Sequence, residues 1–471
     1  MFTRSSVLRE CIQVAPLLER FGSVLRELPV IGCRGNDVQV IELPTDFHHA
    51  ILNGIHQARK KITLASLYLG FEQSDVASSA RFGHISSYIQ RSDHLTGNHL
   101  QVAALKIAMT NNSSLKVHIL LDCLRGTRDN QSSLALLYPL HKEHASQCRL
   151  SFFLSPPASG LLRYLLPPRF NEVLGLQHMK CYSFDDNVIM SGANLSTDYF
   201  TNRQDRYISV NSPTLSEYFN DLVTTVGDAS YHAPKEEGQP TQRDLVGPER
   251  GIYGLLSAFT SRWAGKFTTS NPDDDTLLVP SIQLGVAGFR QDETIVKDLI
   301  ECGSKHKDPS WTMHLSSAYF NFPPKYCQMI LDSSAQFKIM TSAPEANGFY
   351  NSKGISRFLP PAYTYLESNF LKMARRHRPI DAVDISEYNR PGWTFHGKGL
   401  WCYASNEPYP CATIIGSSNF GIRSLMRDME AQNLEFLRSH SSTVDVPTLT
   451  SPERKAHWLT KLTALTCRDM F

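Results

Sequence analysis

Short apolar runs alternate with helix-length amphipathic segments over most of this chain. Val38-Gln39-Val40-Ile41 reads as a strand. Thr45 to Lys60 reads as a helix, because Ile51, Ile55 and Ala58 return to one helical face. Ile62 to Tyr68 reads as a buried strand, and Leu115 to Asp122 as another, trailed by Arg125-Gly126-Thr127-Arg128. Strands separated by helix-length segments predict βα units and a mixed or parallel sheet. His232 to Gly251 collects Pro234, Gly238, Pro240, Gly247 and Pro248 among charges, which predicts an interdomain linker. Ser270 to Asp275 reads as a further loop. The pattern then repeats. Trp311 to Tyr319 resembles Ile62 to Tyr68, each ending in Ser, one apolar residue and Tyr, and Phe337 to Met340 resembles Leu115 to Ile119. The predicted organisation is an N-terminal segment 1–38, a first domain 39–231, a linker 232–251 and a second domain 252–471.

Composition narrows this picture. The chain has 471 residues, enough for two cores, and its 41% hydrophobic and 20% charged content is that of a globular protein. A net charge of +2 lacks the basic excess that general nucleic-acid binding requires. No apolar run is long enough to predict a transmembrane helix. The 10 cysteines form no metal-ligand spacing, and none of the chemistry below calls for a metal; they read as thiols of a reducing compartment. Met1 to Arg9 holds two Arg and no acid, as a mitochondrial presequence would, whereas Glu10, Glu19 and Glu27 suit an ordinary first helix.

The candidate chemistry lies in two stretches. The first runs from His178-Met179-Lys180 through the turn Asp185-Asp186-Asn187 to Ser191-Gly192-Ala193-Asn194. The second runs from His396-Gly397-Lys398 to Gly416-Ser417-Ser418-Asn419. On a strand, His and Lys two apart share a face, and each returning strand ends in an Asn. One such triplet would arise by chance; two, each followed by a strand and an Asn, would not. The repeat extends further: Asp205 lies 11 residues after Asn194, and Glu430 lies 11 after Asn419. Lysines and asparagines can neutralise the oxygens of a phosphodiester. An imidazole can attack phosphorus near neutral pH, and a second can pass the proton. Asp205 and Glu430 are the candidates for fixing the imidazole tautomers.

Paired HxK(x4)D and GSxN motifs resemble the phospholipase D superfamily. The local text is similar to one branch of it, the eukaryotic mitochondrial phosphatidylglycerophosphate synthases. The carrying stretches are Ala65 to Gly70, Leu121 to Arg128, Gly175 to Ser196, Tyr199 to Tyr207, Pro344 to Phe349, Gly392 to His396 and Gly416 to Gln432. The resemblance implies an α/β fold of two αβα-sandwich halves related by a pseudo-twofold, with one active site between them. It implies transfer of a phosphatidyl group from CDP-diacylglycerol to glycerol 3-phosphate, on the way to cardiolipin, with no cofactor required. It also implies a mitochondrial enzyme peripheral to the inner membrane, matrix side. By the same analogy His178 is the nucleophile and His396 the acid and base, in a site that includes Lys180, Asp185, Asn194, Asp205, Lys398, Asn419 and Glu430.

Two departures stand out. Asp185 keeps the motif Asp, but the second half has Tyr403 there, and Gly192-Ala193-Asn194 replaces the usual Gly-Ser-x-Asn. The motif Asp reads as a turn-former, so the second half is expected to be active. Ser66, Tyr68 and Gly70 either contact the nucleotide or end a core strand. Arg125, Arg128, Arg203 and Arg206 are candidates for the acceptor's phosphate, or else form surface ion pairs; Lys353 and Arg357 are weaker ones. Leu161 to Phe170 either dips into lipid headgroups or packs as a loop. Two rival functions share the fold: a phosphodiester hydrolase, and a scaffold with a decayed site.

Overall fold

The computed structural model describes residues 27–70, 97–128, 131–159, 174–234, 240–268, 274, 276–305, 311–403, 409–433, 441–444 and 460. The presequence-like start, the Leu161 to Phe170 stretch and all of the 270–275 loop except residue 274 lie outside them.

Each half is built on one mixed sheet. In the first, Lys61–Ala65, Lys116–Asp122 and Cys148–Phe153 run parallel side by side. Cys181–Phe184 adds antiparallel to Lys61–Ala65, followed by Asn187–Ser191, Tyr207–Asn211 and Val38–Ile41. In the second, Thr312–Ser317, Gln336–Ser342 and Val383–Tyr388 form the parallel core. Lys398–Tyr403, Ala412–Gly416, Glu430–Asn433 and Ser281–Leu284 then follow in the same order. The repeat predicted from a few similar strands is therefore a duplicated topology.

Helices cover the sheets because their apolar positions recur at one face. Pro44–Gln57 starts with Pro at its first turn and buries Phe47, Ile51 and Ile55, four residues apart. Pro213–Asp228 is capped by the Ser212 hydroxyl on the Leu215 N–H and buries Leu215, Phe219, Leu222 and Val226. The helix Ile252–Trp263 packs on it, with Leu256 and Phe259 in the same core cluster. Described parts of the stretch expected as a linker contact the first half. Tyr231–His232 pairs with the edge strand Cys148–Phe153, and His232 exchanges backbone hydrogen bonds with Val246. Val30–Cys33, inside the predicted N-terminal segment, is a buried strand between Phe267–Thr268 and Thr276–Leu278.

One apolar cluster belongs to both halves. Met179, Met190 and Ile208 from the first meet Ile282, Ile415, Met429 and Ala431 from the second. Burying such a seam ties the halves together at the ends of the strands that carry the motifs.

Candidate active site

The histidines sit just before their strands, not within them. Cys181 opens the strand after His178-Met179-Lys180, and Lys398 opens the one after His396-Gly397. Each His-bearing segment is instead paired with the opposite half. The His178 N–H donates to the Met429 carbonyl and the Met429 N–H to the Leu176 carbonyl, both at 2.8 Å. On the other side, Thr394–Phe395 pairs in parallel with Arg203–Gln204, and the His396 N–H donates to the Gln204 carbonyl at 2.8 Å.

This cross-pairing sets each His beside the other half's carboxylate. His178 Nδ1 lies 2.9 Å from Glu430 Oε2 and 3.0 Å from Oε1. His396 Nδ1 lies 2.6 Å from Asp205 Oδ2. With Nδ1 engaged by a carboxylate, the other ring nitrogen of each histidine is Nε2. The exchange of partners follows from the backbone: a strand pairing that ends at Met429 presents Glu430, and one that ends at Gln204 presents Asp205.

The lysines lie beneath. Lys180 Nζ donates to the His178 carbonyl and Lys398 Nζ to the His396 carbonyl, each at 2.7 Å. Lys398 Nζ also reaches Asp205 Oδ2 at 3.4 Å. A Cβ at Gly192 would stand 2.5 Å from Lys398 Nζ and 2.6 Å from Asp205 Oδ1. Gly192 at this point makes room for the second half's lysine and its own half's acid, a physical reason for the departure from Gly-Ser-x-Asn.

Burial shapes the protonation states. Burial, with Lys180 adding to it, holds His178 well below the ordinary histidine range. His396 is also pushed well down by burial and Lys398, but Asp205 opposes this by charge and hydrogen bond. Lys180 is pushed down to about 7 by burial, with Glu430 resisting. Burial raises Glu430, and Lys180 only partly offsets it. Burial also pushes Asp205 up, yet Lys398 and His396 outweigh it, so its carboxyl lies below the usual range. Asp205 is therefore the more firmly anionic partner.

The two Nε2 atoms differ as well. The Tyr199 hydroxyl lies 3.3 Å from His396 Nε2. Among the described residues no hydrogen bond reaches His178 Nε2. Tyr199 and Tyr319 both set their rings edge-on to His396, at 5.1 Å and 5.8 Å between centroids. Asn194 Oδ1 accepts from the Leu67 N–H at 3.4 Å, and its Nδ2 donates to Tyr199 Oη at 3.4 Å. Its counterpart Asn419 has a buried Oδ1 with no hydrogen-bond partner among the described residues.

Several sequence-predicted residues stand apart from the histidines. Asp185 occupies the turn between Cys181–Phe184 and Asn187–Ser191, at a φ of 50°. Its carboxylate accepts the backbone N–H groups of Arg59, Lys60 and Lys61 at 2.7, 2.8 and 2.8 Å. It pins the start of the neighbouring strand Lys61–Ala65. Tyr403 is also at the far end of its strand, its ring 4.7 Å from that of His314. Arg206 corrects the expectation of a phosphate ligand. Its guanidinium lies 3.9 Å over Trp401 and bonds the Lys398 and Ile414 carbonyls, held in the seam between the halves. Ser66 is consumed in structure, donating to the Tyr68 carbonyl and accepting from the Leu195 N–H. Gly70 packs against the loop of Asn194, where a Cβ would meet Ser196 Cβ at 2.5 Å. Arg125 stacks 4.8 Å over Tyr68, and Arg128 is partly buried nearby in sequence. Lys353 and Arg357 lie in the 351–358 loop.

Other residues escaped the sequence reading. Asp122 accepts the N–H groups of Arg125 and Gln177, and Gln177 bonds the Ser66 carbonyl, so the His178 segment is anchored to the first sheet. Asp428 accepts the Leu176 N–H at 3.0 Å and Arg423 Nε at 2.9 Å. His178, Asp428 and Glu430 offer donor atoms within 4.8 Å of one another, but Arg423 and Lys180 already balance the two carboxylates. One constant offset carries Asn194 to Asn419 and Asp205 to Glu430; followed further, it marks Asp428 and Arg423 as well.

No protein-family model matches the chain. A probable CDP-diacylglycerol–glycerol-3-phosphate 3-phosphatidyltransferase of Dictyostelium discoideum is 34% identical over 444 residues, 88% of this chain and 72% of its own. The mitochondrial enzyme of that name from Gallus gallus is 34% identical over 452 residues, 88% of this chain and 77% of that one. The chain belongs to the CDP-diacylglycerol–glycerol-3-phosphate 3-phosphatidyltransferase family. The family member of Saccharomyces cerevisiae is 32% identical over 439 residues, 86% of this chain and 79% of its own. The fold is shared with a crystal structure of phosphatidylserine synthase from Haemophilus influenzae. That match has a TM-score of 0.69 and 18% identity, over 96% of this chain and 97% of that one.

Proposed function

We propose that this chain transfers the phosphatidyl group of CDP-diacylglycerol to sn-glycerol 3-phosphate, releasing CMP. The observation that carries the reading is the pair of crossed dyads, His178–Glu430 and His396–Asp205, with a buried lysine beneath each. The relatives' shared name supplies the substrates.

His178 Nε2 attacks the phosphorus that bears the diacylglycerol, and the bond from that phosphorus to the CMP oxygen breaks. His396 gives its proton to CMP. The phosphatidyl group is then held on His178 as a phosphohistidine. A hydroxyl of glycerol 3-phosphate takes its place, losing its proton to His396, and the phosphorus–nitrogen bond breaks. Two features favour this assignment over its reverse. The Nε2 of His178, which no hydrogen bond reaches among the described residues, suits a nucleophile. His396 has an anionic carboxylate at 2.6 Å, which favours carrying a proton. Lys180, Lys398 and the asparagines offset charge on the non-bridging oxygens. No cofactor enters these steps.

We place the enzyme in the mitochondrion, peripheral to the inner membrane on the matrix side, since relatives are named mitochondrial and a diacyl substrate stays in a bilayer. No helix among the described residues is long and apolar enough to cross a membrane. The test is CMP release from CDP-diacylglycerol vesicles with and without glycerol 3-phosphate. The reading expects phosphatidylglycerophosphate in step with CMP. CMP release with a free phosphatidic acid product, indifferent to the acceptor, would assign a hydrolase instead.

A further inference from the structure

The reaction above does not use the far side of Tyr199. His396 packs on one side of this ring at 5.1 Å, and the Arg203 guanidinium stacks at 4.9 Å. Arg203 donates from Nε to Thr394 Oγ1 at 3.1 Å, and the partly exposed Asp198 carboxylate is 3.4 Å from its Nη2. Its side chain is only 14% exposed, so this cation is fixed in a low-dielectric wall of the site.

In front of Arg203 the loop after Gln336–Ser342 passes with a glycine. A Cβ at Gly348 would stand 2.9 Å from Arg203 Nη2 and 3.6 Å from Tyr319 Oη. Gly348 has no left-handed φ that would demand glycine. The missing side chain instead lets the Arg203 guanidinium come up against the loop, with the Tyr319 hydroxyl close to the same point. The Tyr319 hydroxyl makes no hydrogen bond among the described residues, and its ring also touches His396 at 5.8 Å. Arg423, held on Asp428, acts on the same hydroxyl by its charge.

We propose that Arg203 and Tyr319, brought together at Gly348, form the subsite that takes the phosphate monoester of the acceptor. The proposal rests on the transfer reaction and names where its second substrate is read. The spacing selects the acceptor over CMP. The phosphate of CMP is joined directly to the oxygen that His396 protonates, whereas the phosphate of glycerol 3-phosphate is set back from its reacting hydroxyl by a carbon chain. The Tyr199 ring sets Arg203 back from His396 in the same way. A guanidinium and a phenol converging on one point suit a dianionic monoester.

The experiment uses the full-length protein with CDP-diacylglycerol vesicles. It measures KM for glycerol 3-phosphate, inhibition by CMP, and exchange of labelled CMP into CDP-diacylglycerol without acceptor. Gly348→Val pushes the guanidinium away from this point, and Arg203→Gln removes the charge. Each is expected to raise KM for glycerol 3-phosphate by about ten- to hundredfold relative to the exchange rate. Each is also expected to shrink the preference for glycerol 3-phosphate over glycerol by the same factor. An unchanged KM in Gly348→Val would overturn the subsite. A CMP inhibition constant that rises in step with KM would give the site to the leaving nucleotide and overturn the acceptor assignment. Exchange lost together with transfer in both variants would make the cluster structural. A wild type that shows exchange but makes no acceptor-dependent product would count against the transfer reaction itself, and would be seen before any variant is made.

Discussion

The two halves share one strand order but not one electrostatic design. In the first half, Asp198 pairs with Arg203; at the matching positions of the second half the charges are exchanged, Arg423 pairing with Asp428. Tyr199 in the first half is matched by Ser424 in the second. Tyr199 reaches His396 Nε2, whereas Ser424 serves Glu430 and the Asn419 N–H. The result is two unlike dyads on a symmetric frame. His396 has an anionic carboxylate, a phenol on Nε2 and a cation behind that phenol. His178 has a raised carboxyl on Nδ1 and an open Nε2. Duplication supplies two imidazoles with a lysine beneath each, and divergence sets them in different surroundings.

The largest effects should come from breaking each dyad in turn. His178→Ala should lower transfer on the order of 10^4-fold or more and abolish CMP exchange. His396→Asn should cost about 10^2- to 10^4-fold while allowing a covalent species to accumulate, because the step that consumes it loses its base. Steady-state rates and labelled-CMP exchange separate the two. Equal losses of both activities in both variants would erase the difference claimed for the halves.

The carboxylates come next. Asp205→Asn should cost more than Glu430→Gln, since only His396 must carry a proton between substrates. We expect about 100-fold against about 10-fold in kcat. The reverse order would exchange the roles of the histidines.

A milder effect concerns pH. Lys180, pushed down to about 7, is charged below that pH and neutral above it. The kcat/KM for CDP-diacylglycerol should therefore fall as pH rises through about 7, when the free enzyme loses the cation that meets the phosphodiester. The fall in kcat should come at higher pH, because the bound anion favours the charged lysine. A flat kcat/KM profile from pH 6 to 9 would contradict the buried cation.

The smallest effect on chemistry belongs to the motif Asp. Asp185→Ala removes the acceptor of three N–H groups at a left-handed residue and should cost about 3 kcal/mol of stability. Thermal melting should show that loss, with turnover per folded molecule close to wild type. Tyr403→Phe should change neither, which would be the second half's answer to the same question.

Much of this site was legible in the sequence. His and Lys recur 218 residues on, Asn and the acid 225 residues on, and alternation put each Asn at the end of a returning strand. The crossing of partners was not legible. Spacing along the chain associates His178 with Asp205, but Glu430 reaches it through a backbone pairing between halves that no local pattern announces. The role of Arg206 was hidden for the same reason: beside Asp205 it looked like a phosphate ligand, and only the opposed Trp401 shows it to be part of the seam. The Pro and Gly residues of the expected linker mark turns without saying what the following helix packs against. Tyr319 gave a signal in the repeated Ser-x-Tyr, but nothing in that repeat pointed to a glycine loop facing it.

The most direct test of the unlike dyads is to find where the phosphatidyl group rests. His396→Asn protein incubated with labelled CDP-diacylglycerol, quenched in alkali and mapped by mass spectrometry, should carry the label on His178. Wild-type protein given glycerol 3-phosphate should lose that label as phosphatidylglycerophosphate appears. Label on another residue, or none in His396→Asn alongside full adduct on His396 in His178→Ala, would contradict the assignment of the two halves.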